Sequence, residues 1–131
     1  MREILFRGYS REDEKWYYGF VHNSVGCLNG KQSEHYFIRP IEKIDNILED
    51  TISYEIDKDS IGQYTGFKDK KGVEIYEGDI MSNQTTYYII KFDKGCWVAE
   101  DRNSLEELLL FAMCNVKVIG NIYEEKLKED K

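Results

Sequence analysis

Tyr87-Tyr88-Ile89-Ile90-Lys91-Phe92-Asp93-Lys94-Gly95-Cys96-Trp97-Val98-Ala99-Glu100 decides the fold class. Aromatic and β-branched residues crowd both sides of a short polar link that ends in glycine. Such residues suit a pleated surface, and the link supplies a tight reversal, so the stretch reads as a two-stranded hairpin. The same pattern extends outward in both directions. Ile4, Phe6 and Gly8 alternate with Arg7 and Tyr9; after the polar link 10–14, Trp16, Tyr18 and Phe20 alternate with Tyr17, Gly19 and Val21. Asn29-Gly30 is a strong turn dipeptide ahead of a strand from His35 to Arg39, which Pro40 ends. Ile52, Tyr54 and Ile56 alternate with polar residues, Asp57 to Ser60 turn, and Ile61 to Thr65 form the next strand. Asp69-Lys70-Lys71-Gly72 is a polar turn, and Val73, Ile75 and Tyr76 lead through Glu77-Gly78-Asp79 into Ile80 and Met81. The expected fold is mainly β, a β-rich α+β arrangement of antiparallel strands.

Two segments carry helical spacing. Ser104-Leu105-Glu106-Glu107 fits a capping box, and Leu105, Leu108, Leu109 and Ala112 then share one helical face, so one short C-terminal helix is expected there. Ile41, Ile44 and Leu48 suggest a brief helical excursion within 41–50. Val116 to Ile119 reads as a strand broken at Gly120, and 124–131 as a charged, frayed tail.

Bulk properties narrow the function classes. A chain of 131 residues suits one domain. It is 41% hydrophobic, too apolar for disorder, and 33% charged, too charged for a membrane protein. No apolar run approaches the ~18 residues that span a bilayer, and no signal-peptide core is visible; a cytoplasmic protein is expected. The net charge of −7 disfavours nucleic acid and anionic membrane surfaces as partners. Three widely spaced cysteines, Cys27, Cys96 and Cys114, do not make a disulfide framework, and buried thiols are expected.

The central run Ile61-Gly62-Gln63-Tyr64-Thr65-Gly66-Phe67-Lys68-Asp69-Lys70-Lys71-Gly72-Val73-Glu74-Ile75-Tyr76-Glu77-Gly78-Asp79-Ile80 resembles the signature of the YopX family of phage and prophage proteins. It contains the G-Q-Y-T-G, D-x-x-G and I-Y-E-G-D-I segments in order. Arg7-Gly8 with Lys15 to Phe20 is similar to the family's opening hairpin, and Ile119 to Glu124 to its closing segment. The resemblance implies a bacterial or phage origin and a compact barrel or SH3-like portion around the I-Y-E-G-D-I strand. It carries no activity and no catalytic residues with it. The organisation it suggests is a single domain over 1–131, with a hairpin region 1–50, a signature region 51–123 and the tail 124–131.

The chemistry-bearing candidates are few. Glu74, Glu77 and Asp79 form an acidic cluster of the kind that holds a hard cation or supplies an acid and a base. Against this, Gly78-Asp79 reads as a register-setting turn. Tyr64, Phe67 and Tyr76 are candidates for a partner-binding surface, with Gln63-Tyr64-Thr65-Gly66 read first as a loop anchor. Trp16, Tyr17 and Tyr18 could stack on single-stranded bases, with Lys15, Arg7 and Arg11 near phosphates, although Glu12, Asp13 and Glu14 share that loop. His22, His35 and the cysteines lack metal-ligand spacing, and no glycine-rich phosphate loop precedes a helix. No catalytic residue, metal or cofactor is therefore expected. The expected function is a non-enzymatic phage or prophage accessory protein that binds itself, as a homo-oligomer, and an unknown host or phage protein. The alternative is an SH3-like nucleic-acid module or a weakly acidic DNA-mimic decoy.

Overall fold

A computed structural model describes residues 5–40, 52–113 and 115–129. They form eleven strands and one α-helix, every strand pairing antiparallel. The chain divides into two compact units, one running to Gln63 and the other beginning at Tyr64. The expected helical excursion within 41–50, and Cys114, lie outside the described residues.

The first unit contains β1 (Phe6–Ser10), β2 (Lys15–Leu28), β3 (Lys31–Pro40), β4 (Tyr54–Ile56) and the first residues of β5 (Gly62–Lys68). Their order is β4-β3-β2-β1-β5. The β2–β3 hairpin turns at Asn29 and Gly30, both at positive φ (55° and 78°), as the Asn-Gly dipeptide dictates. Segment 54–63 bonds β3 at one end and β1 at the other: Ile38 faces Tyr54, Asp57 N–H donates to the Tyr9 carbonyl (2.9 Å), and Arg7 faces Gly62. The sheet thereby curls over Ile38 and Ile56, which are 0% and 5% exposed. Glycine is required inside this curl, because a Cβ at Gly19 would run into the carbonyl oxygen of Arg39.

In the second unit the remainder of β5 pairs with β6 (Glu74–Tyr76). A five-stranded sheet follows in the order β10-β9-β8-β7-β11, built from β7 (Asp79–Ser82), β8 (Tyr87–Asp93), β9 (Cys96–Asp101), β10 (Glu107–Leu109) and β11 (Lys117–Asn121). The opening stretch of sequence is indeed a hairpin, with Lys94 and Gly95 at positive φ and Asp93 facing Cys96. One face of the sheet carries Met81, Tyr88, Ile90 and Ala99 into a core with Ile75, Leu110 and Val116. The sheet is open; no closed barrel is found among the described strands.

The short helix falls later than the spacing suggests. α1 spans Ile122–Glu129, where a frayed tail was expected, and Asn121 caps it by accepting from Glu124 N–H (2.8 Å). Tyr123, 5% exposed, anchors it. The Ser104 segment is instead a turn. Asp101 Oδ1 accepts from Asn103 N–H (2.8 Å) and Ser104 N–H, and Leu105 sits at φ 62°, a conformation that blocks a helix. Leu108 and Leu109 then join the sheet edge as β10, and a 3-10 turn, Leu110–Ala112, follows. β11 continues through Gly120 with a bulge between Val118 and Gly120 rather than breaking there. Cys27 and Cys96 are exposed thiols, contrary to the expected burial, because both lie near hairpin ends away from either core. Among the described residues no helix is long and apolar enough to cross a membrane.

Candidate functional site

The signature run builds one side of a groove in the second unit. Thr65 Oγ1 donates to the Ile75 carbonyl (2.8 Å) and accepts from Phe67 N–H (3.1 Å), tying β5 to β6. Gly66 between them takes φ 87°, and the β5–β6 register shifts between Tyr64 and Lys68. A bulge of this kind re-aims the next side chain, and Phe67 emerges 38% exposed. Asp69 fixes the turn beyond it. Its Oδ1 accepts from Lys71 N–H (2.8 Å) and Val73 N–H (2.9 Å), and its Oδ2 from Val118 N–H (3.0 Å) on β11. Burial alone would push the Asp69 carboxyl up, but the three backbone donors and the nearby Lys71 charge outweigh it and hold the group below the usual aspartate range.

Across the groove stands Phe111, 69% exposed, on the 3-10 turn after β10. The recess between Phe67 and Phe111 is about 410 Å3, with Ile75, Leu110 and Val116 forming an apolar floor. Lys68 and Lys70 on its rim are exposed. Beside it runs β10, the last strand of the sheet, all three of whose residues are exposed. Leu108 continues the core-facing row Ile90–Ala99, and Leu109 lies opposite Val98 on the other face. Leu105, Leu108, Leu109 and Phe111, 65%, 45%, 43% and 69% exposed, concentrate apolar surface within seven residues. A second recess of about 480 Å3 lies between α1 and β7, with Arg102 and Glu125 paired at 3.2 Å along its wall.

The other candidates do not line the recess between Phe67 and Phe111. Tyr64 and Tyr76 are 7% and 4% exposed with ring centroids 5.4 Å apart, so of that trio Phe67 alone offers an open face. Asp79, 1% exposed, accepts from Tyr76 N–H through Oδ2 (2.7 Å), while Gly78 at φ 90° donates to the Ile90 carbonyl (2.8 Å): the I-Y-E-G-D-I segment sets strand register. Glu74 is exposed opposite Lys68, and Glu77 is half-buried. Among the described residues no three His, Cys, Asp or Glu side chains gather to hold a metal ion. Trp16, Tyr17 and Tyr18 lie on β2 in the first unit. Tyr17 stacks on Tyr54 (4.1 Å), and its hydroxyl donates to Asp13 (2.8 Å). Trp16 is half-buried and Tyr18 is 49% exposed. Sequence reasoning missed Phe111 and the β10 edge, whose leucines it had assigned to a buried helical face; the signal was present as an apolar cluster but pointed to the wrong element.

The family model described as YopX protein matches residues 5–127. No curated protein matches the chain. Among solved structures, the crystal structure of protein EF1440 from Enterococcus faecalis is similar, with 19% identity and a TM-score of 0.51 over 96% of this chain and 97% of that one. At that identity the likeness concerns the fold.

Proposed function

The chain belongs to the YopX family, and from that footing we propose that it is a non-enzymatic phage or prophage accessory protein, working in the bacterial cytoplasm by binding another protein. The partner presents an extended segment that pairs with β10 and drops an apolar side chain between Phe67 and Phe111. The concentration of exposed leucine and phenylalanine beside a sheet edge carries this reading. An edge strand offers backbone N–H and C=O groups to an incoming strand, and flanking pockets supply selectivity. The exposed Lys68 and Lys70 on the rim favour a carboxylate next to the partner's apolar anchor. A second copy of the chain is one partner that this edge suits. The signature residues do structural work around the groove, which accords with a binding role rather than a catalytic one.

The test is affinity capture from host lysate with nuclease present, comparing the native protein with the Leu108→Glu, Phe111→Glu double variant. Both positions are exposed, so the variant should fold. A defined protein recovered by the native chain and lost by the variant supports the reading. Equal recovery by both baits, or recovery by neither, refutes it.

A further inference from the structure

We propose that the outward face of the first unit's sheet binds single-stranded nucleic acid, stacking bases on Tyr18 and Phe20 and pairing phosphates with Arg39. Strand register assigns the face: Arg7 lies opposite Tyr18, Phe20 opposite Arg39, His22 opposite Phe37, and Phe37 opposite Glu55. Cross-strand partners share a face, and alternate residues along each strand return to it. The reverse face buries Ile38 and Ile56, whereas this one leaves Tyr18 and Phe20 49% and 55% exposed, with Arg39 exposed beside them. Tyr18 and Phe20 are about 6.8 Å apart along β2, the two-residue repeat of a strand.

Charge selects the occupant. The chain has 25 acidic residues, yet its paired strands contribute one carboxylate to this face, Glu55, whose Oε2 lies 3.2 Å from His35 Nδ1. Arg39 and both histidines of the chain are exposed on the face, with His22 stacked on Phe37 at 5.5 Å, while Arg7 is 7% exposed and takes no part in the open surface. The Arg7 guanidinium sits 5.0 Å over the half-buried Trp16 ring, so the open part of the face lies on β2 and β3. A strongly acidic chain has thus placed exposed aromatic faces beside the Arg39 cation on one surface, with Glu55 the single carboxylate its paired strands bring there. Aromatic platforms interleaved with cations suit unpaired bases and their phosphates; a duplex hides the base faces that such rings would stack on. The proposal concerns a different unit from the docking groove and stands independently of it.

Fluorescence anisotropy with labelled oligo-dT and oligo-U of about 12 nucleotides tests it. Binding is expected at micromolar concentration in low salt, with the two probes showing whether DNA or RNA is preferred and a duplex of the same length binding more weakly. Tyr18→Ala and Phe20→Ala should each weaken binding by about 5- to 150-fold, the span expected for loss of one base stack. Arg39→Gln should flatten the dependence of log K on log salt by about 0.7. Thermal melts of the variants check that each folds. Absence of binding by the folded native protein at low salt overturns the proposal. So does equal affinity for duplex, unchanged affinity in folded Tyr18→Ala and Phe20→Ala, or a self-association that these two variants abolish.

Discussion

Replacing Asp69 by asparagine isolates the contribution of one carboxylate to the second unit. Asparagine can keep Oδ1 for Lys71 and Val73 N–H, but it turns the other arm into an amide donor facing the Val118 N–H, which is left without the acceptor it donated to. The change removes one charge-assisted bond and leaves a partly buried N–H without its acceptor, together about 2–3 kcal/mol. For a chain of this length that lowers Tm by roughly 6–15 °C. The pH dependence has a definite sign. The folded carboxyl is held below its ordinary range, so its stabilisation is present above about pH 4 and is lost as pH falls through the folded value. Calorimetric melts of both proteins should therefore differ most near neutral pH and converge as pH drops below about 4. A near-neutral difference under about 2 °C, or a difference that stays constant into acid, would refute the assignment.

Other outcomes follow from equally specific contacts. Gly19→Ala should destabilise the first unit by about 3 kcal/mol or more, because its Cβ meets the Arg39 backbone, whereas Gly26→Ala, whose Cβ would find Ser33 Oγ at 3.5 Å, should melt near the native temperature; similar losses in both would sink the packing argument. Tyr17 is pushed up to about 12 by its hydrogen bond to Asp13, with burial second, so ultraviolet titration should lose a transition near 12 in Tyr17→Phe, and Asp13→Asn should return that transition toward 10. If β10 pairs with β10 of a second copy, sedimentation should show a dimer that Leu108→Lys converts to monomer; a dimer indifferent to that change would place self-association elsewhere.

Most strands were legible because alternation survives wherever one face is covered: Tyr88 and Ile90 go inward and Lys91 outward, as their order implies. Turns were legible where glycine or asparagine meets a positive φ, as at Asn29, Gly72 and Gly95. The Leu105 to Ala112 segment misled because a capping box and helical leucine spacing are local signals, and the Asp101 turn with its left-handed Leu105 overrides both. Asn121 was a readable cap for the true helix, obscured by the charged residues after it. The groove was half legible. Phe67 stood out beside Gly66, but Phe111 gains its role from the fold, which brings residues far apart in sequence to the same recess. The aromatic–cationic face was only partly legible for a related reason: Tyr18 stood out as a base-stacking candidate, but Arg39 meets Phe20 only through the register of a long hairpin.

Hydrogen–deuterium exchange on the protein alone and in its captured complex tests the docking account most directly. A partner strand laid along β10 should slow exchange in residues 107–109 and around Phe111, leaving β2 and β3 unchanged. Protection confined to β2 and β3, with the β10 amides exchanging as in the free protein, would contradict it.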